Sequence, residues 1–132
     1  MRFALCLSAA FFVTACTAPD QPASPERLGR FMGLVAQCGC SDVTPNRMLA
    51  EYGRAVAGRY SEAELRRMKG FVELGATERF NNQIPICAEI CSQTCQVNAV
   101  VKPLGGKVRG NGATCPLTER DLNLTTGWTD TE

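Results

Sequence analysis

The chain has 132 residues, with 14 basic and 13 acidic side chains, no histidine and eight cysteines. A charge this close to balance, without a basic stripe, argues against nucleic acid as a partner. The lack of histidine excludes imidazole-based zinc sites, Ser-His-Asp and Cys-His nucleophile pairs, and histidine acid–base work, so sulfur is the chemistry to follow.

Met1-Arg2 is a short basic start, and Phe3 to Val13 is an unbroken run of apolar and small residues. That run is shorter than the ~20 residues a membrane-spanning helix needs and has the length of a secretory signal core. It ends in Val13-Thr14-Ala15-Cys16, which resembles the lipobox of bacterial lipoproteins. The resemblance covers residues 1–16 and implies cleavage before Cys16, with residues 1–15 as signal peptide. It also implies diacylation of the Cys16 sulfur and acylation of the new amino group. Two or three buried acyl chains, at ~0.8 kcal/mol per methylene, hold a protein durably on a membrane. Thr17, where Asp would mark inner-membrane retention in enterobacteria-like sorting, implies the outer membrane, facing the periplasm. An ordinary signal cut after Ala15 would instead leave Cys16 as a thiol or in a disulfide. Only Arg2 precedes the apolar run, so a twin-arginine pair is lacking and the general export route, with an unfolded chain, is expected.

Residues 16–25 read as a lipid-attached flexible tether, since Thr17 to Pro25 carries three prolines and no large apolar side chain. Residues 26–98 read as a helical domain. Ser24 caps a first helix whose apolar face is Leu28, Phe31, Met32, Leu34, Val35 and Cys38, and Gly39 ends it before Cys40. Thr44-Pro45 opens a second helix with Met48, Leu49, Tyr52, Val56 and Tyr60 inward, weakened by Gly53 and Gly58. Ser61-Glu62-Ala63-Glu64 is a capping box for a third helix whose face is Leu65, Met68, Phe71, Val72, Ala76 and Phe80. Pro85 then suits the first turn of a fourth helix running to Asn98. At about 100° per residue, Ile86, Ala88, Ile90, Thr94, Val97, Asn98 and the three cysteines fill one arc of that helix. Ser92, Gln96, Glu89 and Gln93 fill the other. Cys87, Cys91 and Cys95 therefore form a ridge along the buried side.

Residues 99–132 read as a glycine-rich loop and polar tail. Ala99 to Val101 suggests a short strand, turned back on Val108 by Leu104-Gly105-Gly106-Lys107. Thr118 to Asp121 suggests one helical turn, Cys115 pins the segment to the core, and Trp128 falls in the tail. The stretch lacks the Gly-Lys-Ser/Thr of a phosphate loop. Asn123-Leu124-Thr125 matches a glycosylation acceptor by its spacing alone.

The expected fold class is thus mostly α: about four short helices stapled by disulfides, with a loop-rich C-terminal segment. With Cys6 in the signal and Cys16 on lipid, Cys38, Cys40, Cys87, Cys91, Cys95 and Cys115 remain, an even set in an exported chain. Helix neighbours four apart hold their Cβ vectors roughly parallel, which suits a disulfide poorly. Each helix thiol should therefore pair outside the helix, which cuts the fifteen pairings of six cysteines to six. Two other readings of the thiols stay open. Cys87, Cys91 and Cys95 are similar to the thiol rows of bacterial copper storage bundles, implying a Cu(I) site, with Met32, Met48 and Met68 as packing. A Cys38–Cys40 disulfide, strained by its one-residue loop, would suit thiol–disulfide exchange. The leading expectation is a non-catalytic binding or assembly factor of the cell envelope, held on the membrane through its acyl groups, with an envelope protein as partner and no cofactor.

Overall fold

The computed structural model describes residues 21–56, 58–108 and 112–122. The expected signal peptide, Cys16, Gly110, Asn123-Leu124-Thr125 and Trp128 lie outside these residues. Three helices begin where a hydroxyl precedes an otherwise unsatisfied first turn. Ser24, Thr44 and Ser61 accept from the backbone N–H groups of Arg27, Arg47 and Glu64, at 3.2 Å in each case. These caps open α1 (Pro25–Gln37), α2 (Pro45–Ala55) and α3 (Glu62–Thr77). The capping box of α3 is complete, because the Glu64 carboxylate accepts the Ser61 N–H at 2.8 Å.

The structure is mostly α, as the periodicity predicts, and α1 is its centre. Every residue from Phe31 to Ala36 is buried. Met48 of α2, Met68, Val72 and Ala76 of α3, and Leu117 and Leu122 of the C-terminal segment join the same core. α1 packs most closely on α3, and glycine permits the approach. A Cβ on Gly33 would lie 2.3 Å from the Val72 carbonyl oxygen, and one on Gly75 would lie 2.3 Å from that of Arg30. At the far end of this crossing, Arg30 donates through Nε to Glu78 Oε2 at 3.0 Å and through Nη2 to Glu78 Oε1. The guanidinium also stands 5.9 Å from the centroid of the Phe80 ring. Phe80 lies outside α3, contrary to the periodic reading, because Glu78 turns to extended backbone with ψ 142°.

The expected single cysteine helix is two: α4 (Gln83–Ser92) and α5 (Thr94–Val101). Gln93, at φ −80° and ψ 61°, has the backbone geometry of an inverse γ-turn and separates them. The break has a covalent reason: Cys91 and Cys95 must face partners in different parts of the molecule. It also narrows the inward face of α4 to Ile86, Ile90 and the thiols. Ala88, expected inside, is exposed, and Ile84 is 85% exposed. The expected strand at Ala99 to Val101 is helical instead, and a 3₁₀ turn over Lys102–Leu104 follows. Valines suit a strand only where a partner strand is at hand; here Val97, Val100 and Val101 point into the helical core. Gly105, at φ 73°, ends the turn. Among the described residues there is no strand, only two isolated antiparallel bridges, Pro22 with Thr118 and Ser41 with Val108.

The stretch expected as tether is partly fold. Ala23 is buried, and its N–H donates to the Leu117 carbonyl at 3.1 Å, while Glu119 N–H donates to the Gln21 carbonyl at 2.9 Å. Pro22 sits between these two bonds, at a position that needs no N–H, so proline is accommodated there. Ser24 N–H donates to Glu119 Oε2 at 2.6 Å, and Arg27 pairs with the same carboxylate at 3.3 Å. Thr118 closes the expected single turn, its carbonyl accepting from Leu122 N–H at 3.2 Å.

Candidate functional site

The six cysteines form three bridges: Cys38–Cys87, Cys40–Cys91 and Cys95–Cys115. Each helix thiol does pair outside its own helix, as geometry requires. The first two bridges run side by side from the end of α1 to successive turns of α4. Gly39, at φ 68°, reverses the chain between them. The third fastens α5 to the C-terminal segment.

This arrangement settles what the sulfurs can do in this state. A disulfide sulfur is not a thiolate, so Cys87, Cys91 and Cys95 present no soft donor set for Cu(I). The ridge is also divided, since Cys95 lies on α5 beyond the break at Gln93. Cys38 and Cys40 are not bonded to one another, so the strained one-residue loop expected for thiol exchange is not formed. Among the described residues no group of three or more Cys, Asp or Glu side chains is placed to hold a metal ion. Nor is any described helix long and apolar enough to cross a membrane.

A concave surface lies elsewhere, where the two ends of the described fold meet. A cleft of about 440 Å³ is lined by residues Gln21 to Pro25 together with Arg59, Tyr60, Glu64 and Glu119. Beside it a second hollow of about 330 Å³ is lined by Pro22, Arg59, Tyr60, Pro116, Leu117 and Thr118. Pro22, Arg59 and Tyr60 border both, so the two hollows form one groove running over Pro22.

Most polar groups in this groove are already committed to structure. Tyr60 Oη donates to the Ala23 carbonyl at 2.7 Å. Burial pushes the Tyr60 phenol above its ordinary range, the Glu64 and Glu119 carboxylates add to this, and Arg59 opposes it. Glu64 caps α3, and Glu119 holds Ser24 and Arg27. Arg59 is exposed, and among the described residues its guanidinium has neither an ion pair nor a hydrogen-bond partner.

Sequence reasoning placed Tyr60 inward on the second helix and made no site of it. It lies beyond α2, which ends at Ala55. The groove exists because residue 23 pairs with residue 117, a contact with no local signature in the sequence. No protein-family model matches this chain, and no curated protein sequence or solved structure does either.

Proposed function

We propose that this protein is a membrane-anchored lipoprotein of the bacterial periplasm, attached through Cys16, and that it acts as a non-catalytic binding or assembly factor of the cell envelope. The observation that carries the reading is the pairing of all six cysteines downstream of Cys16. Such complete pairing belongs to an oxidising compartment. It accords with an export signal ending in the lipobox-like Val13-Thr14-Ala15-Cys16. Thr17 favours the outer membrane as the place of attachment. Pro22 stands six residues after Cys16, a covalent reach of at most roughly 20 Å at 3.3–3.6 Å per residue, so the domain stays close to the bilayer.

The groove around Tyr60 is the surface assigned to binding. Its carboxylates and phenol are spent on holding backbone and caps, which suits recognition better than proton transfer.

Two measurements test the reading. Cys16→Ser should abolish acylation, seen as loss of acyl mass, and release the protein from membranes. Normal processing with unchanged membrane partition would overturn the anchor. A photo-crosslinking residue at exposed Pro116 should capture an envelope protein in cells, and one at exposed Lys69 should not. Equal capture from both positions, or from neither, would overturn the assignment of the groove.

A further inference from the structure

The two halves of the groove differ in charge, and the difference names a ligand. On the Ser24 side, Glu64 and Glu119 border the cleft along with Arg59, so an anion placed there meets two carboxylates as well as the guanidinium. On the Leu117 side no carboxylate borders the hollow; its walls are Pro22, Tyr60, Pro116, Leu117 and Thr118, and its single charge is Arg59. A guanidinium without an ion-pair partner among the described residues, at the rim of an apolar hollow, is matched by an apolar group carrying one carboxylate. A planar fork of N–H donors meets such a group in two parallel hydrogen bonds. The hollow, about 330 Å³, falls at the lower end of the range for small-ligand sites. That volume holds one or two residues and not a long acyl chain.

From this charge complementarity we infer that the Leu117 side of the groove receives the free C-terminus of a polypeptide whose last residue is apolar, with its carboxylate on Arg59 and its side chain between Tyr60 and Leu117. The inference rests on the groove being the binding surface proposed above, and it specifies the partner's end.

The test uses the oxidised, Cys16→Ser protein and two probes, acetyl-Ala-Leu with a free carboxylate and the same dipeptide as its amide. Amide-resolved NMR titration follows Tyr60, Leu117 and Thr118. Saturable shifts with the acid are expected, with at least tenfold weaker binding of the amide, since a charge-assisted pair is lost. Arg59→Gln should weaken the acid tenfold or more while leaving the amide unchanged. That substitution changes an exposed side chain with no hydrogen-bond or ion-pair partner among the described residues, so the fold is retained. Equal binding of acid and amide would overturn the carboxylate inference and leave the groove as a binding surface. Binding of neither at millimolar concentration would overturn the inference as well, while crosslinking from Pro116 judges the wider reading separately. Shifts that appear elsewhere and survive Arg59→Gln would refute the placement.

Discussion

Gly33→Ala tests the packing of the whole domain with one methyl group. A Cβ at residue 33 would lie 2.3 Å from the Val72 carbonyl oxygen, 2.5 Å from the Ala76 nitrogen and 2.7 Å from the Gly75 carbonyl carbon. Ordinary contacts need roughly 3.5 Å, so α1 and α3 must part by about 1 Å along that line. The opposing atoms are backbone and cannot rotate away as a side-chain tip would. Overpacking of this kind costs about 1–3 kcal/mol, and the backbone character places this case at the upper end. Alanine returns up to ~1 kcal/mol of helix propensity, leaving a net loss of about 2 kcal/mol. For a domain of this size that lowers Tm by roughly 8–16 °C. The control is Gly70→Ala on the outer side of α3, where a Cβ meets nothing within 4 Å. The same chemical change there should stabilise by about 0.5–1 kcal/mol. Thermal unfolding of both oxidised variants, followed by far-UV circular dichroism, reads the two signs. Shifts in the same direction would refute the reasoning, because propensity alone would then explain both. Gly75→Ala should resemble Gly33→Ala, and the double variant should lose less than the sum, since helices already parted admit the second methyl.

Three further outcomes follow from single contacts. Glu78→Ala removes the ion pair of the largely buried Arg30, whose side chain is 12% exposed, and should cost roughly 2–4 kcal/mol in denaturant unfolding. Arg30→Met combined with Glu78→Gln should recover much of that; a double variant as unstable as Glu78→Ala would show that the charges themselves are required. Cys38–Cys87 and Cys40–Cys91 close nearly the same loop, with separations of 49 and 51 residues. Removing one leaves the other in place and should cost roughly 2–3 kcal/mol, removing the second roughly 4 kcal/mol more; strictly additive losses would contradict the shared loop. The Tyr60 phenol is held above its unfolded value of 10.0, chiefly by burial. Its raised folded value means that its contribution to stability is complete below pH 10 and lost as pH climbs through the folded pKa. Stability should therefore fall in that alkaline range and fall less steeply in Tyr60→Phe; identical alkaline slopes would remove Tyr60 as the cause.

What was legible in the sequence was local. Ser24, Thr44 and the Ser61–Glu64 box announce helices because a cap is satisfied within three residues of itself. The rule that Cys87, Cys91 and Cys95 must each look outside their helix is equally local, since it needs only the direction of neighbouring Cβ atoms. What was not legible depends on distant parts of the chain. The break at Gln93 follows from where Cys115 sits, and Cys115 sits where Leu117 and Leu122 find the core. The valines at 97, 100 and 101 carry strand propensity, but their burial among helices overrides it. The close approach at Gly29 and Gly33 went unread, since nothing in α1 alone names Met68, Val72 or Gly75 as the facing backbone.

The groove is the extreme case of this limit. Its floor needs Ala23 joined to Leu117, its wall needs Tyr60 reaching back to Ala23, and its charge needs Arg59 on its rim. None of the three conditions concerns residues near each other in sequence. The first, however, hangs on the C-terminal segment, which Cys95–Cys115 fastens to the body of the domain. The same segment, through Glu119, grips the first residues of the described fold. If Cys16 carries lipid, the proposed binding surface includes Pro22, six residues along the chain from the anchor, and a partner seated on Leu117 and Arg59 would be held near the bilayer.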